Sequence, residues 1–295
     1  MTASLVTVGC SQQSRNPAVA NSPVPTPAVG EIPSLTNTVD KSLPIEAFLL
    51  SSVQSRQLEI ARNLLIKQCM KRSGYDYTPP LPPQSAVRGQ ATHRYDVADA
   101  ANGYHPAGPS SNEKMTSEPA LSSDEQKALG IDPSSNEGPA STASGPPVRA
   151  GGCMREAYKK LAAEGGIIQD SELAVNINFD SYKASMADAR LKEVFQKWSG
   201  CMKGKGFSYA TPGDAVRDKR WLAPKASSEE ISTATADSAC RQQVNVIGTW
   251  FAVESAYESQ AIQANLQRLI KVKQGIEIAS RNASAIISAS GSPES

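Results

Sequence analysis

Long apolar runs are missing from this 295-residue sequence. No stretch of about 18 consecutive apolar residues occurs, so nothing reads as a helix that crosses a bilayer. Excess charge of either sign is missing too. Lys and Arg number 30 against 29 Asp and Glu, a net charge of +1, and no basic stripe points to a nucleic-acid partner. Aromatics make up only 5% of the chain and hydrophobic residues 39%, which implies modest cores and much irregular chain. No G-x-S-x-G, P-loop, G-x-G-x-x-G or H-E-x-x-H is present, so no nucleophile, nucleotide or zinc-hydrolase motif gives the chain an activity. Neither is there a C-x-x-C. The two histidines, His93 and His105, fall with Asp96 and Asp99 in H-x2-D-x2-D-x5-H, a spacing that matches no zinc pattern with a mechanism behind it. No metal and no cofactor are expected, and this loop is expected to pack across the first helix.

Proline is absent from Lys225 to Gly291, where only Gly248 and Gly275 interrupt before the end. By contrast, 27 of the 73 residues from Thr78 to Ala150 are Pro, Gly or Ser. The chain therefore alternates between segments able to form long helices and segments that are not. A short helix is expected at Ser123 to Leu129, opened by a Ser122–Glu125 capping box. Another starts near Thr211-Pro212-Gly213-Asp214 and carries the basic run of Arg217 to Lys225 on a solvated face. Ser227 and Glu230 form a further capping box, after which Ile231, Cys240, Val244, Ile247 and Phe251 recur at helical spacing.

The most informative feature is a repeat. "CMKRSGYDY", Cys69 to Tyr77, and "CMKGKGFSY", Cys201 to Tyr209, both read C-M-K-x-x-G-[FY]-x-Y. Leu58, Ala61, Leu65 and Cys69 trace one helix face, and Leu191, Val194, Phe195, Trp198, Cys201 and Met202 trace another. Gly74 and Gly206 stand where each helix would end in a left-handed cap. Each cysteine thus faces inward from a last helical turn. The other two candidates for pairing are Cys153, in the short helix of "GGCMREAYKKLAAEGG", and Cys240. Four cysteines allow three connectivities. If the motif marks a duplicated unit, each copy pairs with the next cysteine downstream: Cys69 with Cys153 and Cys201 with Cys240. Arg62, Glu156 and Glu254 interrupt apolar faces and are candidate buried polar groups.

The fifth cysteine, Cys10, ends "VTVGC", a junction similar to a bacterial lipobox. Cys10 is therefore the expected lipid-attachment residue, with the true start upstream. Residues 1–10 read as a signal remnant and residues 11–40, rich in Ser, Pro, Ala and Asn, as a disordered tether. A first cysteine-paired helical unit follows at 41–164, with a long irregular insertion at 78–150. The second unit spans 165–287, and 288–295 is a disordered tail. The fold class is mainly α: disulfide-stapled helical units, long Pro/Gly/Ser-rich loops and a long C-terminal helix.

The two cysteine motifs, "GGCMREA", "RYDVADAANGYH" and "TWFAVESAY" together resemble exported, lipoprotein-like, cysteine-paired helical proteins of high-GC Gram-positive bacteria. The resemblance covers most of residues 45 to 275. It implies export and paired cysteines and brings no catalytic residues. The expected function is a non-enzymatic extracytoplasmic component of the cell envelope, anchored by lipid to the outer face of the plasma membrane or secreted. It would act as a binding or scaffold subunit beside an envelope protein partner such as a transporter or sensor, docking through the long C-terminal helix. The alternative is a cell-wall hydrolase using carboxylates such as Glu156 or Glu254.

Overall fold

Helix signals in the sequence become eight α-helices among the described residues, which are 25–80, 95–97, 100–105, 121–131, 151–166, 170–223 and 225–291 of a computed structural model. They are α1 (Ser52–Arg72), α2 (Ser123–Leu129), α3 (Gly152–Leu161), α4 (Ser171–Ala187), α5 (Ala189–Gly204), α6 (Pro212–Val216), α7 (Ser228–Gln243) and α8 (Val246–Ala289). No strand occurs among the described residues. Side-chain caps start most of these helices. Ser51 with Gln54, Ser122 with Glu125 and Thr211 with Asp214 make complete capping boxes at α1, α2 and α6.

The repeated motif folds the same way twice. Gly74 and Gly206 take φ of 88° and 89°, a region that favours glycine because it has no Cβ. The Tyr75 N–H donates to the Met70 carbonyl at 2.9 Å, and the Phe207 N–H to the Met202 carbonyl at 3.0 Å. The glycine N–H groups donate to the carbonyls of Lys71 and Lys203, each at 3.1 Å. These are two copies of one Schellman ending. Met70 and Met202 are fully buried, and the aromatic residue after each glycine packs against the same cluster as its methionine.

Both cysteine pairs meet. Cys69 and Cys153 are bonded with Cα atoms 5.5 Å apart, and Cys201 and Cys240 with Cα atoms 5.7 Å apart. The duplication stops at the partners, however. Cys153 lies in the first turn of α3, whereas Cys240 lies in the last turn of α7. Each bridge closes a loop long enough to remove roughly 4 kcal/mol of unfolded-state entropy in the chain-entropy model.

The helix α8 is the spine. At 44 residues it is about 65 Å long. It runs antiparallel to α4: Trp250 meets Ser185 near the end of α4, and Leu269 packs with Ala174 and Ile177 near its start. Three apolar clusters lie along it. The first surrounds Trp250 with Trp198, Phe195 and Tyr95; the second holds Leu269 with Ile45; the third brings Ile286 to the Cys69–Cys153 bridge. At Asn265 the helix is interrupted (φ −123°, ψ 15°), and the Asn265 amide donates to the Ala261 carbonyl at 2.9 Å. A side chain entering the hydrogen-bond ladder is a recognised cause of such kinks.

Three expectations are corrected here. The stripe from Ile231 to Phe251 is not one helix: α7 stops at Gln243, and Asn245 turns the corner in the left-handed region at φ 53°. Asparagine tolerates that region better than other non-glycine residues. Residues 25–40, expected in the disordered tether, lie instead against the body, and residues 11–24 fall outside the described residues. The division at 164/165 is not a packing boundary, since α8 touches α1, α3, α4, α5 and α7.

Neither Gly74 nor Gly206 has a neighbour within 4 Å of where a Cβ would stand, so the cost of replacing them is backbone strain alone. Gly74→Ala and Gly206→Ala are each expected to cost about 1 kcal/mol, and the corresponding Asn variants less. Chemical denaturation of the four variants checks this order.

Candidate functional site: a groove beside α8 above a buried polar hub

An extended strap forms one wall of the site. Pro27, Val29, Pro33 and Leu35 are half-buried while the residues between them are exposed, the alternation of an extended chain lying on a surface. The corner residue Asn245 clamps it. Its amide donates to the Pro33 carbonyl at 2.9 Å, and its side-chain oxygen accepts from the Leu35 N–H at 3.2 Å. Gly248 is required beneath, because a Cβ there would collide with the Pro33 carbonyl. At the other end, Arg190 donates to the Pro27 carbonyl at 3.1 Å, and the Thr26 side chain hydrogen-bonds the Tyr257 hydroxyl. Asp188 organises that end: it holds Arg190 in a two-pronged ion pair and accepts from the Tyr257 hydroxyl at 3.1 Å.

Between strap and helix lies a groove of about 930 Å³, open to solvent, within the upper range for small-ligand sites. Phe251, Ala252, Ser255, Ala256, Ser259 and Gln260 supply its helical wall, Gln263 extends it, and residues 26–31 with Pro33 supply the other. Among the described residues, the one ionisable group in its lining is Glu31. The Ser255 hydroxyl and the Gln260 side-chain carbonyl oxygen are buried with no hydrogen-bond partner among the described residues. Such a group is costly unless something completes it.

Beneath the helices sits a charged hub. Asp237 and Arg241, one turn apart on α7, are almost fully buried and pair in two places, at 2.7 and 2.9 Å. The indole N–H of Trp198 donates to Asp237 at 2.8 Å, and the Tyr104 hydroxyl at 3.1 Å. Burial first, then the Asp237 charge, pushes the Tyr104 phenol far above its ordinary range, so it remains a donor. Arg241 reaches the Tyr95 carbonyl at 2.6 Å, and the Tyr95 hydroxyl donates to Glu254 at 2.6 Å. Glu230 accepts from the Tyr104 N–H at 2.9 Å, and its other oxygen lies 3.4 Å from His105 Nε2. Glu258 accepts from the Ile45 N–H at 3.0 Å, fixing the turn Pro44–Phe48 to α8. Residues 95–97 and 100–105 thus pack on α7 and α8 rather than across the first helix. Gly103 is needed there, because a Cβ would strike the Glu230 carboxylate.

The residues singled out from sequence scatter. Glu254 is fully buried, within the hub. Glu156 is not buried: it pairs on the surface with Arg72 at 2.6 Å and Lys160 at 2.9 Å, and these cations hold its carboxyl below the usual range, the Lys160 hydrogen bond most. Arg62 is half-buried, with its Nε unpaired. None of the three lines the groove. Cys10, His93 and Asp99 fall outside the described residues. Asp96 accepts from the Thr38 N–H at 3.3 Å. Among the described residues, no cluster of potential metal ligands forms and no helix is long and apolar enough to cross a membrane. Asp237 and Arg241 were missed, although their i, i+4 spacing is an ion-pair signal. By sequence Glu230 is half of a capping box. Its N–H does donate to the Ser227 hydroxyl, at 3.1 Å, but its carboxylate turns inward to Tyr104.

The Asp188 carboxyl is held down at about 2, chiefly by the Arg190 side-chain hydrogen bonds. An unfolded aspartate titrates near 3.9, so the stabilisation is complete above about pH 5 and drains away as pH falls through 4 towards 2. At pH 7 it amounts to about 2 kcal/mol. Asp188→Asn is expected to lose about that much at pH 7 and to flatten the acid limb of the stability–pH curve, measured by urea midpoints from pH 2 to 7.

Compared with protein-family models, curated proteins and solved structures, the chain gave no match.

Proposed function

We propose that this protein is a non-enzymatic binding subunit of the cell envelope, working outside the cytoplasm and held at the outer face of the membrane through a lipid on Cys10. The observation that carries this reading is the combination of two disulfides with a groove built by a pinned strap. Disulfides suit an oxidising compartment. Here they fasten the ends of α1 and α5, while polar contacts fix the loop at Tyr95 and the strap at Pro33. The groove supplies a surface on which a ligand or an envelope partner would rest. On α8 this surface is the stretch from Phe251 to Gln263 that lines the groove.

Two readouts in the native host test the reading. The natural gene product should fractionate with membranes, and its Cys10→Ala variant should appear in the medium or remain unprocessed. Alkylation before reduction should leave Cys69, Cys153, Cys201 and Cys240 unmodified. A cytosolic product with four free thiols contradicts the proposal.

A further inference from the structure

The groove has a chemistry more specific than its size. Among the described residues that line it, the formal charge comes from Glu31 alone, with no Lys, Arg or His, which disfavours phosphate- or carboxylate-bearing ligands. Its side-chain polar groups are otherwise neutral: the hydroxyls of Thr26, Ser255 and Ser259 and the amides of Gln260 and Gln263. Two of these, the Ser255 hydroxyl and the Gln260 carbonyl oxygen, are buried and, among the described residues, unpaired. A ligand hydroxyl completes either one, because it both donates and accepts.

The apolar part of the helical lining is made by the small side chains of Ala252 and Ala256 and by Phe251. Recognition of an extended peptide uses pockets that take alternate side chains. A wall of alanine and serine offers few such pockets. A sugar ring needs none, since it lays an apolar C–H face on an aromatic or alanine surface and turns its hydroxyls to the amides at the edge.

We infer that the groove between the strap and α8 binds a neutral oligosaccharide, with Phe251 as the stacking surface and Ser255, Gln260, Gln263 and Glu31 as hydrogen-bonding groups. This rests on the reading of the protein as an envelope binding subunit and names its ligand class. The strap forms the opposite wall, so the Asn245 clamp and the Asp188–Arg190 anchor hold the site in shape without touching the ligand.

The test is calorimetric titration of the full chain, disulfides intact, with tetramers of N-acetylglucosamine, glucose, galactose and mannose. A neutral ten-residue peptide and a polyol phosphate serve as the competing probes. At least one neutral sugar should bind, and Ser255→Ala and Gln260→Ala should each weaken it about 3- to 10-fold, the range for one hydrogen bond. Phe251→Leu should weaken it as well while leaving the protein folded. Unchanged thermal midpoints for the two alanine variants show that the loss is local. Failure of all four sugars overturns the inference, as does sugar binding that survives both alanine substitutions. Binding of only the peptide, lost in Gln260→Ala, overturns the sugar assignment but leaves a binding subunit. Export and thiol state are read separately, so failure of that broader reading is distinguishable.

Discussion

The buried pair Asp237–Arg241 is the interaction on which the interior depends. Two charges taken from water are tolerable only when their remaining hydrogen-bonding capacity is satisfied. Here that requirement recruits α5 through Trp198, the loop before α2 through the Tyr104 hydroxyl and the Tyr95 carbonyl, and, one bond further, α8 through Glu254. A protein with few aromatics spends three of them on this hub, since Tyr95 also stacks near Trp250 with ring centres 5.0 Å apart. Removing one charge would leave the other buried and unpaired, which costs more than an ordinary core truncation, about 3–5 kcal/mol.

The two disulfides and the hub divide the work of closure. The Cys69–Cys153 bridge fastens helix ends whose apolar cluster is small, and the hub adds directional contacts to a loop that Tyr95 and Tyr104 also tie into the cluster around Trp250. The strap follows the same logic on the outside. It is held by a side-chain amide, a guanidinium and a glycine that lets the backbones approach. Its placement beside α8 is therefore set by directional contacts at both ends, with the groove left between them.

Local chemistry made much of the fold legible. Gly74 and Gly206 announced two identical helix endings because a positive φ there needs glycine. The Ser122 and Thr211 caps announced short helices, and the motif repeat pointed to the cysteine pairs that form. What stayed hidden depended on partners distant in sequence. Asn245 looked like an interior helix residue, since its left-handed corner is fixed by Pro33 and Leu35, 212 and 210 positions away. The strap reads as low-complexity tether because its order comes from contacts made by others. Asp237 and Arg241 flank the stripe through Cys240 and Val244, and their charge made that margin read as solvated. Glu254 was visible because it interrupts such a stripe, whereas Glu156 interrupted one and still lies at the surface in an α1–α3 ion pair.

Native-state hydrogen exchange tests the hub most directly, read at the Tyr104 amide and at the α7 amides around Asp237 in the wild type and in Arg241→Met. If the hub closes the interior, the Tyr104 amide of the wild type is protected. In the variant its protection and that of α7 fall together, by a factor of about 100 or more. Loss confined to the Tyr104 amide, with α7 unchanged, would contradict the account, because the loop and the helix would then be held by separate interactions.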